Sequence, residues 1–208
     1  MEETENISVE MQEETIFINL LEDYYEVTVD FVFYNSGNDV ELEVGFPFFS
    51  EGLGGDGKIW DCTCWTNGNE TDYTKTNIIQ GWYKPIGLEY ANLRKISFPK
   101  KSITTTKVNF KTEYGREAPS FLLATYLYGT GLSWKGPIKT LKLIIENNNL
   151  YRKIGWIKMA SKSIRSSFQR IADNKYEFIT YNVEPENYES VFEISLFDVL
   201  DNIGPTKF

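Results

Sequence analysis

The amino-acid sequence predicts an all-β fold, a large antiparallel sandwich of two sheets with little helix. Apolar and polar residues alternate with a period of two in both halves of the chain, which is typical of half-buried strands. Clusters of turn-forming residues recur about every 8–12 residues, the spacing expected of a sandwich. The chain of 208 residues carries 14 Phe, 13 Tyr and 5 Trp, and such rings suit a pleated, half-buried surface. Strands that alternate with long helices are not indicated, so a parallel α/β fold is not expected.

The clearest alternation lies in the first 47 residues. Apolar residues occupy every second position in three runs, 16–20, 25–33 and 40–44. The cluster Asn35–Asp39 supplies turn residues between the second and third runs. Pro47 ends the third run, because proline cannot donate to a central ladder. These features predict a strand followed by a β-hairpin.

The rest of the chain predicts further short strands joined by turns. Phe121–Tyr128 is the only segment with a fair claim to a short helix, and a strand is its alternative. Gly115–Pro119 is predicted to join two sandwich halves, residues 1–114 and 115–208, which share or abut one core; a single domain is the other interpretation. The predicted strands lie near 58–66, 80–84, 95–98, 102–114, 139–146, 155–160, 168–172, 176–179 and 191–197.

The charge balance argues against nucleic acid as a partner. The 30 acidic and 21 basic residues give a net charge of −9 and a pI of about 4.7. Binding to a phosphate backbone needs a dense basic patch, and basic pairs such as Arg94-Lys95 and Arg152-Lys153 lie among apolar and hydroxyl residues. We interpret them as solvated strand edges, where lysine also discourages pairing with other chains.

Membrane and export signals are not evident in the sequence. No run approaches the roughly 18 apolar residues of a membrane-spanning helix, so no integral membrane segment is expected. The first 14 residues lack the basic and apolar regions of a signal peptide. The chain is therefore either cytoplasmic or a mature exported protein whose leader is missing.

Cys62 and Cys64 are the only cysteines, and the chain has no histidine. Residues two apart on a strand point to one face, so both thiols are expected on the same side. A metal site would need further ligands, and the spacing is one residue short of the usual redox C-x-x-C motif. Three interpretations stay open: two packed thiols, a disulfide within or between chains, and a metal or catalytic role.

The candidate site residues are two acids near a glycine-rich loop at 51–58 and aromatic residues of the predicted strands near 58–66 and 80–84. Without histidine, Ser-His-Asp and Cys-His catalysis within the chain is excluded, so we assign no catalytic residue, metal ligand or cofactor. The acids nearest the loop, Asp56 and Asp61, are candidates for glycoside or calcium chemistry, although solvated acids are the simpler interpretation. Rings with polar tips suit interfaces and sugar faces. The candidate ligand-binding residues are Trp60, Trp65, Asp56, Asp61, Trp82 and Tyr83.

The segment Thr130–Ile138 is predicted to be structurally central. Gly131 and Gly136 bracket Trp134, and Pro137 fixes the backbone just before a strand. This pattern indicates a sharp entry into the sheet with Trp134 packed between the two halves. The alternative is that Trp134 is an exposed platform for a ligand.

Several motifs together resemble a known family. They are Glu14–Leu20 with Tyr25–Asn35 and Val44–Pro47, then Tyr126–Ile138, then Asn182–Pro185 before the last strand. The combination resembles an uncharacterised bacterial domain family of secreted or surface proteins, sometimes followed by a small domain named after a Tyr-Ala-Arg-His-Gly motif. The resemblance implies export, a β-sandwich and no known catalytic residues.

Three functional hypotheses follow. The first is a non-enzymatic interaction or structural domain, extracellular or in the cell envelope, with a protein or glycan ligand. The second is a sandwich that binds or processes carbohydrate, which a cleft with facing carboxylates would favour. The third is a scaffold half of a larger protein whose activity lies on another part.

Overall fold

The computed structural model describes residues 8–47, 59–77, 90–118, 121–159, 162–163, 167–186 and 190–198. These ranges contain sixteen strands and the 3-10 turn Gly129–Ser133. The strands are β1 (Val9–Leu20), β2 (Tyr24–Asn35), β3 (Val40–Pro47), β4 (Ile59–Thr66), β5 (Asn69–Thr71), β6 (Thr74–Asn77), β7 (Tyr90–Phe98), β8 (Ile103–Glu113), β9 (Gly115–Ala118), β10 (Phe121–Leu127), β11 (Ile138–Asn147), β12 (Arg152–Met159), β13 (Lys162–Ser163), β14 (Gln169–Ala172), β15 (Lys175–Val183) and β16 (Val191–Asp198).

The largest sheet has eight strands in the order β14-β15-β11-β1-β2-β8-β4-β5. All of its pairs are antiparallel except β1 with β11, which run parallel from Glu13–Thr140 to Leu20–Asn147. Five of its strands precede residue 115 and three follow it. The N-terminal strand therefore lies in the middle of the sheet, between its hairpin partner β2 and the distant β11.

One face of this sheet is the core. Every second residue of β2 is buried, from Tyr25 to Phe33, because side chains alternate between the two faces of a strand. The neighbours Ile16, Val29 and Leu143 are fully buried on adjacent strands. The opposite face carries mainly charged and hydroxyl residues and is half-buried or exposed.

Two smaller sheets cover the core face. Their orders are β13-β12-β16-β10-β9 and β3-β7-β6. Tyr25 Oη bridges to the five-stranded sheet, since it donates to the carbonyl of Thr125 and accepts from the same residue's amide, both at 3.1 Å. The rings of Phe33 and Phe98 meet edge to face at 5.6 Å and join the three-stranded sheet to β2. The predicted all-β sandwich is confirmed, with one parallel pair in the large sheet.

Some elements differ from the sequence predictions. Phe121–Leu127 is a strand, and its six residues from Leu122 onward are all buried. A strand buried on both faces reads as a continuous apolar run, which periodicity cannot distinguish from a helix. β1 begins at Val9, well before the predicted alternation at 16, because a bulge after Met11 shifts the pattern by one residue.

Trp134 lies directly after the 3-10 turn and packs against two sheets. Its ring centroid is 4.4 Å from that of Phe33 and 5.8 Å from that of Phe98. The backbone amide of Lys135 donates to the carbonyl of Val9 at 3.0 Å, and Gly136 has a φ of 70°, which favours glycine. The structure favours the packed position of Trp134 over the exposed platform.

A carboxyl group lies inside the core. Glu14 has no exposed surface, and its Oε1 accepts a hydrogen bond of 2.7 Å from Tyr126 Oη of the opposing sheet. Its Oε2 has no partner among the described residues. Burial raises the pKa of this carboxyl to about 8, and the Tyr126 hydrogen bond partly offsets the increase.

Candidate functional site

A β-bulge in β4 decides which face each candidate residue occupies. Trp60 pairs with Lys111 of β8 and Thr63 with Asn109, so Asp61 and Cys62 together oppose one residue of β8. Asp61 adopts a φ of 52°, the left-handed backbone that occurs at such irregularities. Trp60 and Trp65 are five positions apart and would face opposite sides of a regular strand. The extra residue places both on the solvent-facing side of the large sheet.

Trp60 stands at one end of this outer face in a charged environment. Its ring meets that of Tyr24 edge to face at 5.6 Å. Lys111 Nζ lies 2.9 Å from Asp61 Oδ2, 3.9 Å from Glu26 Oε1 and 5.9 Å from the centroid of Tyr24. The hydrogen bond to Asp61 is the main cause of a raised pKa of Lys111.

Trp65 borders an open groove farther along the same face. The groove encloses about 640 Å³ between β2, β8 and the turn after β4. Lys107 Nζ lies 6.0 Å from the Trp65 centroid and 3.7 Å from Asp30 Oδ1. Asn109 Nδ2 donates to Thr28 Oγ1 at 2.7 Å. The lining thus combines a ring, a carboxylate, an ammonium, an amide and hydroxyls; it consists of Thr28, Asp30, Phe31, Val32, Trp65, Gly68, Thr105, Thr106, Lys107 and Asn109.

The structure brings together only part of the predicted site. Trp60, Asp61 and Trp65 share β4, but only Trp65 lines the groove. Asp61 is exposed and paired with Lys111. Asp56, Trp82 and Tyr83 lie outside the described residues, as does the glycine-rich loop.

The other polar residues of the groove were not recognised in the sequence. Asp30 and Lys107 alternate with the core residues of β2 and β8, and they pair directly across the two strands. The alternation was visible in the sequence and identifies them as outward-facing. Their proximity to Trp65 depends on the strand order β2-β8-β4, which alternation does not reveal.

Cys62 and Cys64 face the opposite side, towards the three-stranded sheet. Both are thiols; Cys64 is buried and Cys62 half-buried. Asn92 Nδ2 of β7 donates to Cys62 Sγ at 3.2 Å. Arg94, two residues farther along β7, lies next to Cys64 and donates from Nη1 to the carbonyl of Trp65 at 3.2 Å. We name Cys62, Cys64, Asn92 and Arg94 the thiol cluster.

Arg94 corrects an interpretation made from the sequence. The pair Arg94-Lys95 was expected at a solvated edge, and Lys95 is indeed exposed, but Arg94 is only 8% exposed. Burial lowers the pKa of Arg94, and the negative charge of the two thiols acts against this decrease. The polar Asn92 and Arg94 occupy the core-facing positions of β7, where apolar residues are the rule.

The thiols of the cluster are electrostatically unlike each other. A hydrogen bond from the Cys62 thiol lowers the pKa of Cys64 to about 7; burial opposes this effect and the Arg94 charge adds to it. The same hydrogen bond, together with burial, raises the pKa of Cys62. The pair therefore holds one negative charge more readily than an isolated cysteine does.

The described part of the chain has neither a metal-ion cluster nor a membrane-spanning helix. Within it, no group of three or more His, Cys, Asp or Glu side chains is placed to hold a metal ion. The described residues also contain no helix that is long and apolar enough to cross a membrane.

Solved structures support the fold assignment. A Legionella pneumophila protein whose proposed role is nutrient binding is similar to this chain with a TM-score of 0.70 and 16% sequence identity. The similarity covers 91% of this chain and 67% of the Legionella protein. At this identity the likeness establishes a shared fold.

Two enzymes are more weakly similar. An M1 zinc metallopeptidase from Deinococcus radiodurans has a TM-score of 0.44 and 7% identity, and this chain spans 42% of its length. Leukotriene A4 hydrolase from Saccharomyces cerevisiae has a TM-score of 0.46 and 12% identity, with 29% of its length covered. Neither supports an argument about function. No protein-family model and no curated protein matches the sequence.

Proposed function

We propose that this chain is a non-enzymatic interaction domain that binds its ligand on the outer face of the eight-stranded sheet, around Trp65. The observation that carries the proposal is the open groove of about 640 Å³, in which a half-buried tryptophan stands beside charged and hydroxyl groups. Tryptophan supplies a large contact area together with a polar N–H, which makes it a common anchor at interfaces.

The chemistry of the groove favours binding over catalysis. Among the described residues that line it, Asp30 is the only carboxylate, and Lys107 lies 3.7 Å from it. Glycoside hydrolysis uses two carboxyl groups that flank the scissile bond, roughly 5–9.5 Å apart. One carboxylate beside a lysine lacks the second group, whereas it suits recognition of a polar ligand.

A location outside the cell or in the envelope is part of the proposal. It is supported by the motifs at Glu14–Leu20, Tyr126–Ile138 and Asn182–Pro185, which resemble those of exported bacterial domains. Fractionation of the native host with an antibody to the folded domain tests it. Recovery of the protein from the cytoplasm alone contradicts this part of the proposal and leaves the binding face open to test.

Carbohydrate is the second candidate ligand, and the composition of the groove favours it over an apolar molecule. Sugar rings stack on tryptophan, while their hydroxyls need the hydrogen-bonding groups that Thr28, Asp30 and Asn109 provide. We expect soluble oligosaccharides to bind through Trp65 if this candidate is correct. The activity then is binding without cleavage.

The experiment compares two ligand classes at one site. A photo-crosslinking residue in place of Thr105, which lines the groove, should form an adduct with a protein partner in the native host, and one in place of Leu150, an exposed turn residue, should not. In parallel, tryptophan fluorescence is titrated with a panel of soluble oligosaccharides. Trp65→Ala should abolish whichever interaction is found.

The control variant is Tyr181→Ala. It removes a ring that is 65% exposed and lies on β15, near the opposite edge of the same sheet. It should bind like the wild type. If Trp65→Ala and Tyr181→Ala bind alike, or if adducts form equally from both crosslinking positions, the groove is not the site.

A further inference from the structure

The thiol cluster lies on the face of β4 opposite to the groove. Ligand binding in the groove does not account for its two buried polar residues and two thiols. Two core-facing residues of β7 lie against the cysteines of β4: Asn92 donates to Cys62 Sγ at 3.2 Å, and Arg94 interacts electrostatically with both Cys64 and Cys62. This contact requires that the core-facing side chains of β7 and those of the bulged β4 point towards each other. Two polar groups are thereby directed at two thiols inside the sandwich.

Arg94 is the unusual member of the cluster. A buried guanidinium is costly unless an opposite charge or several acceptors compensate it. Among the described residues no carboxylate lies within ion-pair distance of Arg94; its guanidinium donates to the carbonyl of Trp65 at 3.2 Å, and the two cysteines are the neighbouring groups that could carry a negative charge. Neutral thiols that merely fill space would leave this cation without a counter-charge, whereas a thiolate shared by the pair supplies one.

We propose that Cys62 and Cys64 are a redox-active dithiol, which Arg94 holds as a shared thiolate and which a small-molecule disulfide oxidises reversibly to an intramolecular disulfide. Asn92 positions the half-buried Cys62, which is the thiol that a small disulfide in solution can reach. Arg94 acts as a positioning and charge-stabilising residue for Cys64.

An extended strand places the two cysteines at the geometric limit of such a bond, so ring closure depends on the bend that the bulge gives β4. Residues two apart on an extended strand have Cα atoms about 6.6 Å apart, at the upper end of the roughly 4.4–6.8 Å that a disulfide spans. Cys62 belongs to the bulge, where the strand bends. A disulfide close to its geometric limits is easily reduced, and easily reduced disulfides are the labile or regulatory ones.

The reaction balances with the disulfide as the electron acceptor. The Cys62 thiolate, formed when its proton passes to Cys64 or to solvent, attacks one sulfur of the small disulfide and releases the other as a thiolate. The Cys64 thiolate then attacks Cys62 Sγ, breaks the mixed disulfide and releases the second small thiolate. The two protons lost by the cysteines end on the two released thiols. The cysteine pair loses two electrons, and one S–S bond replaces another.

Arg94 also makes a metal site unfavourable. Zinc in structural sites takes four ligands, while the described residues around the pair offer two sulfurs and a positive charge. The guanidinium opposes a divalent cation and favours an anionic sulfur. The redox role therefore accounts for more of the cluster than a metal role does.

The first experiment follows the two thiols of the full chain in buffers of reduced and oxidised glutathione. Oxidised glutathione should remove the mass of two hydrogen atoms and abolish labelling by a maleimide, and dithiothreitol should restore both thiols. Cys64→Ser should stop at a stable mixed disulfide between Cys62 and glutathione, because the resolving thiol is missing. Cys62→Ser should react slowly, because Cys64 is buried.

The second experiment tests Arg94 through the pH dependence of alkylation by iodoacetamide. In the wild type the rate at the accessible Cys62 should rise as the pair loses its first proton, at a pH below the usual cysteine value, because the Cys62 hydrogen bond and the Arg94 charge lower the pKa of Cys64 to about 7. Arg94→Met should raise this midpoint and slow the reaction at pH 7, but by less than a full return to the usual cysteine value of about 8.5, because the Cys62 hydrogen bond remains the larger cause of the lowered pKa. Arg94→Lys keeps the charge and should retain most of the wild-type rate. The circular dichroism spectrum of each variant is compared with that of the wild type to check that the variant is folded.

Several outcomes overturn the proposal. They are a stable glutathione adduct on the wild type without ring closure, two thiols that do not react while the protein is folded, and a native protein that carries a metal ion on the pair. An alkylation midpoint in Arg94→Met that equals the wild-type value contradicts the proposal that Arg94 stabilises the thiolate. If Arg94→Met does not fold, the comparison of wild type with Arg94→Lys and the trapping behaviour of Cys64→Ser decide the question.

Discussion

Glu14 places an ionisable group where the fold can least stabilise its charge. It is enclosed by the core, hydrogen-bonded only to Tyr126, and its second oxygen has no partner among the described residues. Because burial penalises the carboxylate more than the carboxylic acid, the pKa rises to about 8. In the folded protein near neutral pH, Glu14 therefore keeps a proton that it loses in the unfolded chain.

The stability of the protein should fall as the pH rises through this window. Between about pH 4.5 and 8 the folded state binds one more proton than the unfolded state, so the free energy of unfolding decreases with pH. Each pKa unit corresponds to about 1.4 kcal/mol. We expect Glu14→Gln to match the wild type near pH 5 and to exceed it at pH 8 by on the order of 3 kcal/mol, measured by urea unfolding.

Tyr126→Phe is the companion variant. It removes the hydrogen bond that holds the Glu14 pKa down, so its loss of stability relative to the wild type should be larger at pH 8 than at pH 5. A difference between Glu14→Gln and the wild type that does not change with pH contradicts the buried acid.

Trp134 should act as a structural anchor. Its ring touches Phe33 of the large sheet and Phe98 of the three-stranded sheet, so Trp134→Ala opens a cavity between layers. We expect a loss of about 3 kcal/mol in the free energy of unfolding. Tyr181→Ala, which removes an exposed ring, should change it by less than about 0.5 kcal/mol. Equal stability of the two variants would return Trp134 to the role of a ligand platform.

At the scale of elements, the bulge in β4 organises both faces of the protein. It turns Trp60 and Trp65 to the groove side and leaves Cys62 and Cys64 on the core side. The groove and the thiol cluster therefore depend on the same extra residue. A change of register in β4 would disturb both.

Deletion of Asp61 tests this dependence. Without the extra residue, Trp60 and Ile59 must exchange faces or the strand must shift, and we expect a loss of stability of several kcal/mol by thermal unfolding. Asp61→Gly keeps the residue count and suits the φ of 52°. The relief of backbone strain, about 1 kcal/mol, offsets the lost surface pair with Lys111, so the variant should be nearly as stable as the wild type. Loss of folding in Asp61→Gly would mean that the carboxylate, not the bulge, is essential.

The elements that sequence reasoning recovered are those with uninterrupted alternation. In β2 and β8 the predicted core residues, such as Val27 and Val108, are buried. The bulges of β1 and β4 interrupt the period, which hid the start of β1 and the common face of the two tryptophans. Asn67-Gly68, whose positive φ values of 51° and 79° close the β4–β5 hairpin, is a typical two-residue hairpin turn that was not recognised in the sequence. The burial of Arg94 could not be predicted from the sequence, because it depends on which residues face the side chain from the other layer of the sandwich.

The whole molecule is held together by contacts between residues far apart in the sequence. β1 pairs with β11 over eight residues, Tyr25 bonds to Thr125, and Glu14 bonds to Tyr126. Each contact crosses the predicted joint near 115. Strands from the second half therefore cover part of the core face of β1 and β2, and the three-stranded sheet of the first half covers another part.

Separate fragments 1–114 and 115–208 should each fail to fold. Each would expose an apolar sheet face and an unpaired central strand edge. We expect neither fragment to unfold cooperatively in a denaturant titration, and a mixture of the two to regain the circular dichroism signal of the intact chain. A well-dispersed NMR spectrum of fragment 1–114 alone would establish it as an independent domain.

The position of β1 between β2 and β11 also bears on biosynthesis. Ile138 is added 118 positions after Leu20, which at about 5–20 residues per second takes roughly 6–24 s. During this time one edge of β1 on the nascent chain has no strand to pair with. Glu10, Glu13 and Glu14 are then hydrated and negatively charged, and such charges discourage neighbouring chains from adding to an open edge. We therefore expect the carboxylate of Glu14, whose charge is unfavourable in the finished core, to help keep this edge of the growing chain from pairing with other chains until β11 is added.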